Sequence, residues 1–242
     1  FVKLNKFLVK DKLFLKFRTI FFKVIFDVAR YNNLDVSKVN DKNIDSVINN
    51  LKNISDNNIK FIHETVNKLP ELNSIFSSKK LISLSKSILG IKKQSLTFVN
   101  NYSFRIQVPG RDEVSNLPWH KDSLYNDAFI KDNSIVVWIS LSNITNKMGP
   151  VVFKKGSQNI NKIEKKIIYK KNRNKVFSIK RKKEWLGIRD HFFETKIGDI
   201  VLIDMQTIHR SGANLSKSKT KLSAQARFHF LSRAYLNKKL IL

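Results

Sequence analysis

GDIVLIDMQTIHRSGANLS, residues 198–216, sets a short aliphatic run between a glycine turn and a polar turn that carries a histidine. Ile200 to Ile203 are too few for an ordinary helix, are mostly β-branched, and are bounded by Gly198 and Asp204, so they read as a buried strand. The same texture extends outward in both directions. SLTFVN (95–100), FRIQV (104–108), SIVVWISL (134–141), KVFSI (175–179) and AQARFHFL (224–231) are short, β-branched or aromatic, and separated by turn residues. Many short strands at this spacing predict a sandwich or barrel of the jelly-roll type. Between them, residues 160–185 form the most basic segment, expected to be a surface excursion with one strand inside it.

Upstream of Gly90 the period changes from two to three or four. Leu4, Phe7, Leu8, Phe14, Phe17, Phe21, Val24, Ile25 and Val28 recur at helical steps with Lys and Arg between them. A basic amphipathic helix can lie on an anionic membrane, but covering the rest of the fold is the favoured role. Residues 36–90 continue in the same manner, with Asp or Asn at N-cap positions and Gly90 as a stop. The expected fold class is α+β: a helical N-terminal region, 1–90, packs on a β core, 91–242, in one structural domain.

Composition narrows the chemistry. The chain of 242 residues contains no cysteine, which excludes disulfides, thiolate metal sites and a cysteine nucleophile. Any transition-metal site must therefore use histidine and carboxylate. Charges interrupt every apolar run before it reaches the roughly 18 residues of a membrane span, so a transmembrane segment is not expected, while peripheral contact stays open. The net charge of +27 comes from 46 Lys and Arg against 19 Asp and Glu. It invites a polyanionic partner, yet the lysines run from Lys3 to Lys239 and accompany abundant Asn and Ile, which favours a solvated surface and a compositional bias over nucleic-acid or membrane binding. The sequence opens at Phe1 rather than Met, so its natural start, with any targeting signal, is expected upstream.

The segment LPWHKDSLYND, residues 117–127, supplies a His-x-Asp triplet. In a strand, side chains two apart share a side, so His120 and Asp122 can converge on one ion while Lys121 faces away. Alone the triplet is weak. His209, arriving after another strand, completes two imidazoles and one carboxylate, the facial set that leaves other coordination positions open in non-haem Fe(II) oxygenases.

The ordered set of His120-x-Asp122, residues 134–159, Gly198-Asp199-Ile200-Val201-Leu202 and His209-Arg210-Ser211-Gly212-x-Asn214-x-Ser216 closely resembles the phytanoyl-CoA dioxygenase family of Fe(II)/2-oxoglutarate oxygenases, from about residue 97 to about residue 230. The resemblance implies a double-stranded β-helix, that is, a cupin-like jelly roll. It also implies His120, Asp122 and His209 as metal ligands, with 2-oxoglutarate as co-substrate and O2 as oxidant. The reaction expected is hydroxylation of an aliphatic carbon in a small or lipid-like molecule, in the cytoplasm. Retention of Asp122, which related halogenases lack, favours hydroxylation over halogenation.

One departure concerns the arginine that the family uses to grip the far carboxylate of 2-oxoglutarate. Lys221 stands there if one residue is inserted between Lys217 and Lys221, with Thr220 the alternative for a register one residue away and Ser211 the hydroxyl helper. Lysine keeps the charge but loses the planar two-toothed grip. Met148-Gly149-Pro150 and Gly156-Ser157 match family turns, the second altered to Lys-Gly-Ser-Gln. Alternation places Lys221, Ser223, Gln225, Arg227 and His229 on one polar face of a strand, and the strand's length puts Arg227 and Lys221 at different ends. Gln107 and Trp138 are further candidates to line the co-substrate pocket, although core packing is the simpler role for Trp138. His63, His191, His229 and Trp119 are expected to be structural. A weakened or inactive relative that binds an anionic partner is the second reading, which Lys221 favours. A nucleic-acid demethylase ranks last, because no stacking platform or base-reading motif is evident.

Overall fold

The computed structural model describes residues 1–92, 95–110, 116–125, 134–160, 163–169, 175–180 and 183–231. The chain begins with β1 (Val2–Leu4) and five helices: α1 (Lys12–Tyr31), α2 (Ile44–Ile54), α3 (Asp56–Asn67), α4 (Pro70–Phe76) and α5 (Lys79–Ile88). Asp11 starts α1 by accepting the amides of Leu13 and Phe14 at 3.0 and 3.2 Å. The helical period visible from Leu4 therefore overreaches at its start. Residues 2–4 instead pair with a strand edge, Val2 opposite Leu202 and Leu4 opposite Ile200, because that edge offers backbone partners that a frayed helix end lacks.

After the helices come β2 (Leu96–Gln107), β3 (Ser134–Ser140), β4 (Val152–Lys154), β5 (Lys165–Tyr169), β6 (Lys175–Ile179), the short helix α6 (Lys183–Leu186), β7 (Asp190–Phe192), β8 (Ile200–Asp204), β9 (His209–Arg210) and β10 (Lys221–Leu231). One sheet runs β1-β8-β3-β10-β2 and a second β7-β4-β9, all in antiparallel pairs. Two runs read separately in the sequence, SLTFVN and FRIQV, join as the single strand β2. Asn101, at φ 52°, lets the strand bulge where the register with β10 shifts between Gln225 and Arg227. The basic excursion holds two strands, β5 and β6, paired with each other, rather than the one expected. Lysines at Lys165 and Lys166 and the exposed Ile167 hide the alternation that would have marked β5.

Each central strand has two destinations. Ile135, Val137 and Ile139 of β3, Ile200 and Leu202 of β8, and Leu222, Ala224, Ala226, Phe228 and Phe230 of β10 pack with Phe14, Phe17, Phe21, Ile25 and Ile48 of the helices. Val136, Trp138, Val201 and Ile203 point the other way and meet Phe153 of β4 together with Met148 and Met205. The second cluster is the filling between the sheets of a jelly roll. No described helix is long and apolar enough to cross a membrane.

Candidate metal centre

Two short backbone bonds create the site. The amide of His120 donates to the carbonyl of His209 and the amide of His209 donates back, both at 2.9 Å, forming an isolated antiparallel bridge. Residues so paired hold their side chains next to one another, and the two imidazole centroids lie 4.3 Å apart. His120 Nδ1 lies 2.7 Å from the carbonyl of Pro118 and His209 Nδ1 lies 2.9 Å from that of Thr207. A carbonyl only accepts, so each ring carries its proton on Nδ1 and turns a lone pair outward on Nε2.

Lys121 is extended (φ −112°, ψ 140°), which returns Asp122 to the side of His120, and Asp122 then opens a single turn of 3-10 helix ending at Leu124. Asp122 Oδ2 stands 3.5 Å from His209 Nε2. One ligand-type atom from each of His120, Asp122 and His209 lies within 4.8 Å of the others, so the three could hold a metal ion. They are 2%, 1% and 7% exposed, which removes the competing explanation of solvated loop residues. Lys121 does face away, donating to the carbonyl of Ile160 at 2.8 Å.

The electrostatics suit a cation site. Burial pushes His120 down to about 3, and His209 beside it works in the same direction, so the ring is a neutral ligand at ordinary pH. Burial alone would raise Asp122, but Arg227, His209 and His120 outweigh it and hold the carboxyl well below its usual range. Arg227 Nη2 donates to Asp122 Oδ1 at 2.6 Å. Tyr125 meets His120 edge to face at 5.4 Å, and its hydroxyl both donates to the carbonyl of Phe177 (2.7 Å) and accepts its amide (2.9 Å).

The other candidates divide. Lys221 is buried and donates to the carbonyl of Gly149, while Gln107 donates to Asn116 Oδ1 at 2.8 Å and to the carbonyl of Gly212 at 3.1 Å. These two carbonyls belong to interlocked turns: a Cβ on Gly149, at φ +69°, would lie 2.4 Å from the carbonyl oxygen of Ala213, and one on Gly212 would lie 2.6 Å from that of Pro150. Ser211 is half-buried, its amide bonded to Leu117 at 3.0 Å. Trp138 belongs to the apolar filling, opposite Gln225 and Val201 in register. His63 sits among helices with Asn67, and His191 is exposed and stacks on Phe1 at 5.2 Å. His229 bonds Ser134 at 2.7 Å, and Trp119 packs on Trp185 at 5.6 Å. A cavity of about 490 Å³ beside β1, lined by Lys3, Lys6, Asn143, Glu194 and Asp199, shares no residue with the triad, and its Lys3 is already tied to Asp199 at 3.2 Å.

Arg227 and Tyr125 were not singled out as site residues from the sequence. Alternation did assign Arg227 to the polar face. What sequence could not supply was that Asp122 meets that face at the Arg227 end.

A family model for phytanoyl-CoA dioxygenase matches residues 27–221. The chain belongs to the phytanoyl-CoA dioxygenase family. No match was found among curated proteins. Among solved structures, EvdO2 from Micromonospora carbonacea var. aurantiaca, complexed with 2-oxoglutarate, is 16% identical with a TM-score of 0.55, covering 66% of this chain and 63% of its own. The epimerase SnoN, in complex with Fe3+, alpha ketoglutarate and nogalamycin RO, is 14% identical with a TM-score of 0.53, covering 66% of this chain and 59% of its own. The carbocyclase SnoK from nogalamycin biosynthesis, a non-heme alpha ketoglutarate dependent enzyme, is 16% identical with a TM-score of 0.51 and coverages of 67% and 59%. This chain thus spans about three-fifths of the length of these proteins, and the likeness establishes a shared jelly-roll fold.

Proposed function

We propose that the protein is an Fe(II)- and 2-oxoglutarate-dependent dioxygenase that hydroxylates an aliphatic carbon of a small or lipid-like molecule. The observation that carries this reading is the convergence of two outward-facing Nε2 atoms and one Asp122 oxygen in a buried interior, in a chain of this family. The same reading takes the fold as a double-stranded β-helix, with 1–90 packed on 91–242 as one unit. Two nitrogens and one oxygen suit a ferrous ion and leave further coordination positions open.

His120, Asp122 and His209 are the ligands in this account. The carbonyls of Pro118 and Thr207 hold both rings in the ligating tautomer before any ion arrives, so reorganisation on binding is small. When bound, the ion with 2-oxoglutarate supplies O2 activation, coupled to decarboxylation of the oxo acid to succinate. Lys221 serves as the ammonium that meets the far carboxylate, with Ser211 as a hydroxyl donor. Gln107 and Trp138 shape the same pocket. The apolar filling around Phe153 and Val201 excludes water from the chemistry. EvdO2 and SnoN, whose structures contain 2-oxoglutarate or iron with alpha ketoglutarate, support the cofactor pair by analogy.

Anaerobic addition of Fe(II) and 2-oxoglutarate tests the reading directly. The expected result is a visible charge-transfer band from the chelate, then slow succinate release on admitting air; the absence of both would falsify it. One observation favours the second reading, an inactive relative that binds an anion: Lys221 already donates to the carbonyl of Gly149. Under that reading 2-oxoglutarate gives no band, while an anionic ligand still raises the melting temperature.

A further inference from the structure

The pair formed by Arg227 and Asp122 is not needed to hold the strand that carries it. Leu222, Ala224, Ala226, Phe228 and Phe230 already fix β10 against the helices, whereas the side chain of Arg227, on the opposite face, and that of Asp122, which it meets there, are 10% and 2% exposed. Burying two charges is expensive, and such pairs contribute little net stability compared with apolar replacements. Arg227 Nη2 takes Asp122 Oδ1 at 2.6 Å and leaves Oδ2 on the side of His209 Nε2, 3.5 Å away. Its Nη1 donates weakly to the carbonyl of Asn101 at 3.4 Å, at the bulge of β2. Its Nε is buried without a hydrogen-bond partner among the described residues. Lys221, Ser223, Gln225 and His229 of the same β10 face, and Gln107, Arg105, Ser103 and Phe98 opposite them on β2, bring no carboxylate to offset the guanidinium, and Lys221 and Arg105 add further cations.

We propose that Arg227 is a charge-compensating residue that makes metal binding depend on the arrival of a dianionic oxo acid. The proposal rests on the metal-site reading above. The guanidinium of Arg227 offsets the charge of Asp122, so a divalent ion entering alone meets a carboxylate whose pull is already opposed by a cation beside it. A dicarboxylate that follows is attracted by the same guanidinium, whose Nε, without a partner among the described residues, offers it a donor. Without Arg227, the ion alone meets the unopposed charge of Asp122, and the dianion that follows finds one cation fewer. The guanidinium therefore weakens the first step and strengthens the second.

This sign differs from that of ordinary partners of metal ligands. A carbonyl or carboxylate that accepts from a ligating histidine raises ligand basicity, and its removal loosens the metal by about ten- to a hundred-fold. A cation donating to a ligating carboxylate lowers basicity, so its removal should tighten the metal. A residue that merely orients Asp122 would behave in the first way.

The experiment measures Co(II) affinity by its visible absorption, with the full chain, in the presence and absence of 2-oxoglutarate. In the unaltered protein 2-oxoglutarate should tighten Co(II) by about ten-fold or more, and Co(II) should tighten 2-oxoglutarate by the same factor. Arg227→Gln should bind Co(II) alone about ten-fold more tightly and lose most of that coupling, while Arg227→Lys, which keeps the charge, should stay within about three-fold of the parent on both counts. Looser Co(II) binding in Arg227→Gln, or unchanged coupling, overturns the proposal. Should that variant fail to fold, the unaltered protein still decides, because coupling below about three-fold overturns the proposal by itself. Absence of any Co(II) binding that His209→Ala removes would instead overturn the metal-site reading beneath it.

Discussion

The two faces of β10 are both withdrawn from water and are built from opposite chemistry. Toward the helices stand Leu222, Ala224, Ala226, Phe228 and Phe230, and toward the sheet interior stand Lys221, Ser223, Gln225, Arg227 and His229. The first face gains free energy by removing apolar surface from water, at roughly 25 cal/mol per Å². The second gains little and loses hydration, so stability alone does not account for it. A strand that keeps charged groups where apolar ones would fit is shaped by what binds there.

That contrast can be broken by substitution. Asp122→Ala should abolish succinate production while leaving the far-ultraviolet dichroism intact, and retained turnover would remove Asp122 from the ligand set. On the helical face, Phe228→Ala should cost about 3–5 kcal/mol in a urea titration, because it opens a cavity that close-packed neighbours fill only in part. A loss under about 1 kcal/mol there would mean that the face is not packed as described. The double replacement Asp122→Leu with Arg227→Met should go the other way, leaving stability unchanged or higher by about 1–4 kcal/mol while ending metal binding. A large destabilisation would show that the polar face is structural after all.

Acid should separate the faces more gently. His120 is held neutral by burial, at about 3 against 6.5 in a free chain, so the unfolded state binds an extra proton between those values. The metal-free protein should therefore lose up to about 1.4 kcal/mol per pH unit from this residue as pH falls below about 6.5. His63 and His229, also lowered chiefly by burial, add in the same direction. Urea midpoints at pH 7.5 and 5.5 check this, and equal midpoints would contradict it. The smallest effect is expected from Lys221→Arg, which should leave 2-oxoglutarate binding unchanged or tighter by less than about ten-fold, since charge is kept and a fork is gained. Complete loss of binding would move the anchor to another residue.

Local pattern made much of this legible. The period of two in AQARFHFL divided β10 correctly into its faces, and His120-x-Asp122 with His209 identified three side chains that do converge. The errors arose where pattern and partner disagree. Residues 2–4 continue a helical period yet pair with β8, and KKIIY lacks a clean alternation yet forms β5 beside β6. Arg227 was assigned to the right face, but its contact with Asp122 joins residues 105 positions apart, with no trace in either segment.

The sequence by itself determined the class of most elements, the residues able to ligate a metal, and the exclusion of thiolate chemistry, because these depend on side-chain type and local period. Tertiary structure alone decided which donors meet, that both imidazoles carry their protons on Nδ1, and that a guanidinium reaches one carboxylate oxygen while a histidine stands near the other. Those facts depend on through-space distances of a few ångströms between distant strands, set by sheet register and by the paired backbones of His120 and His209.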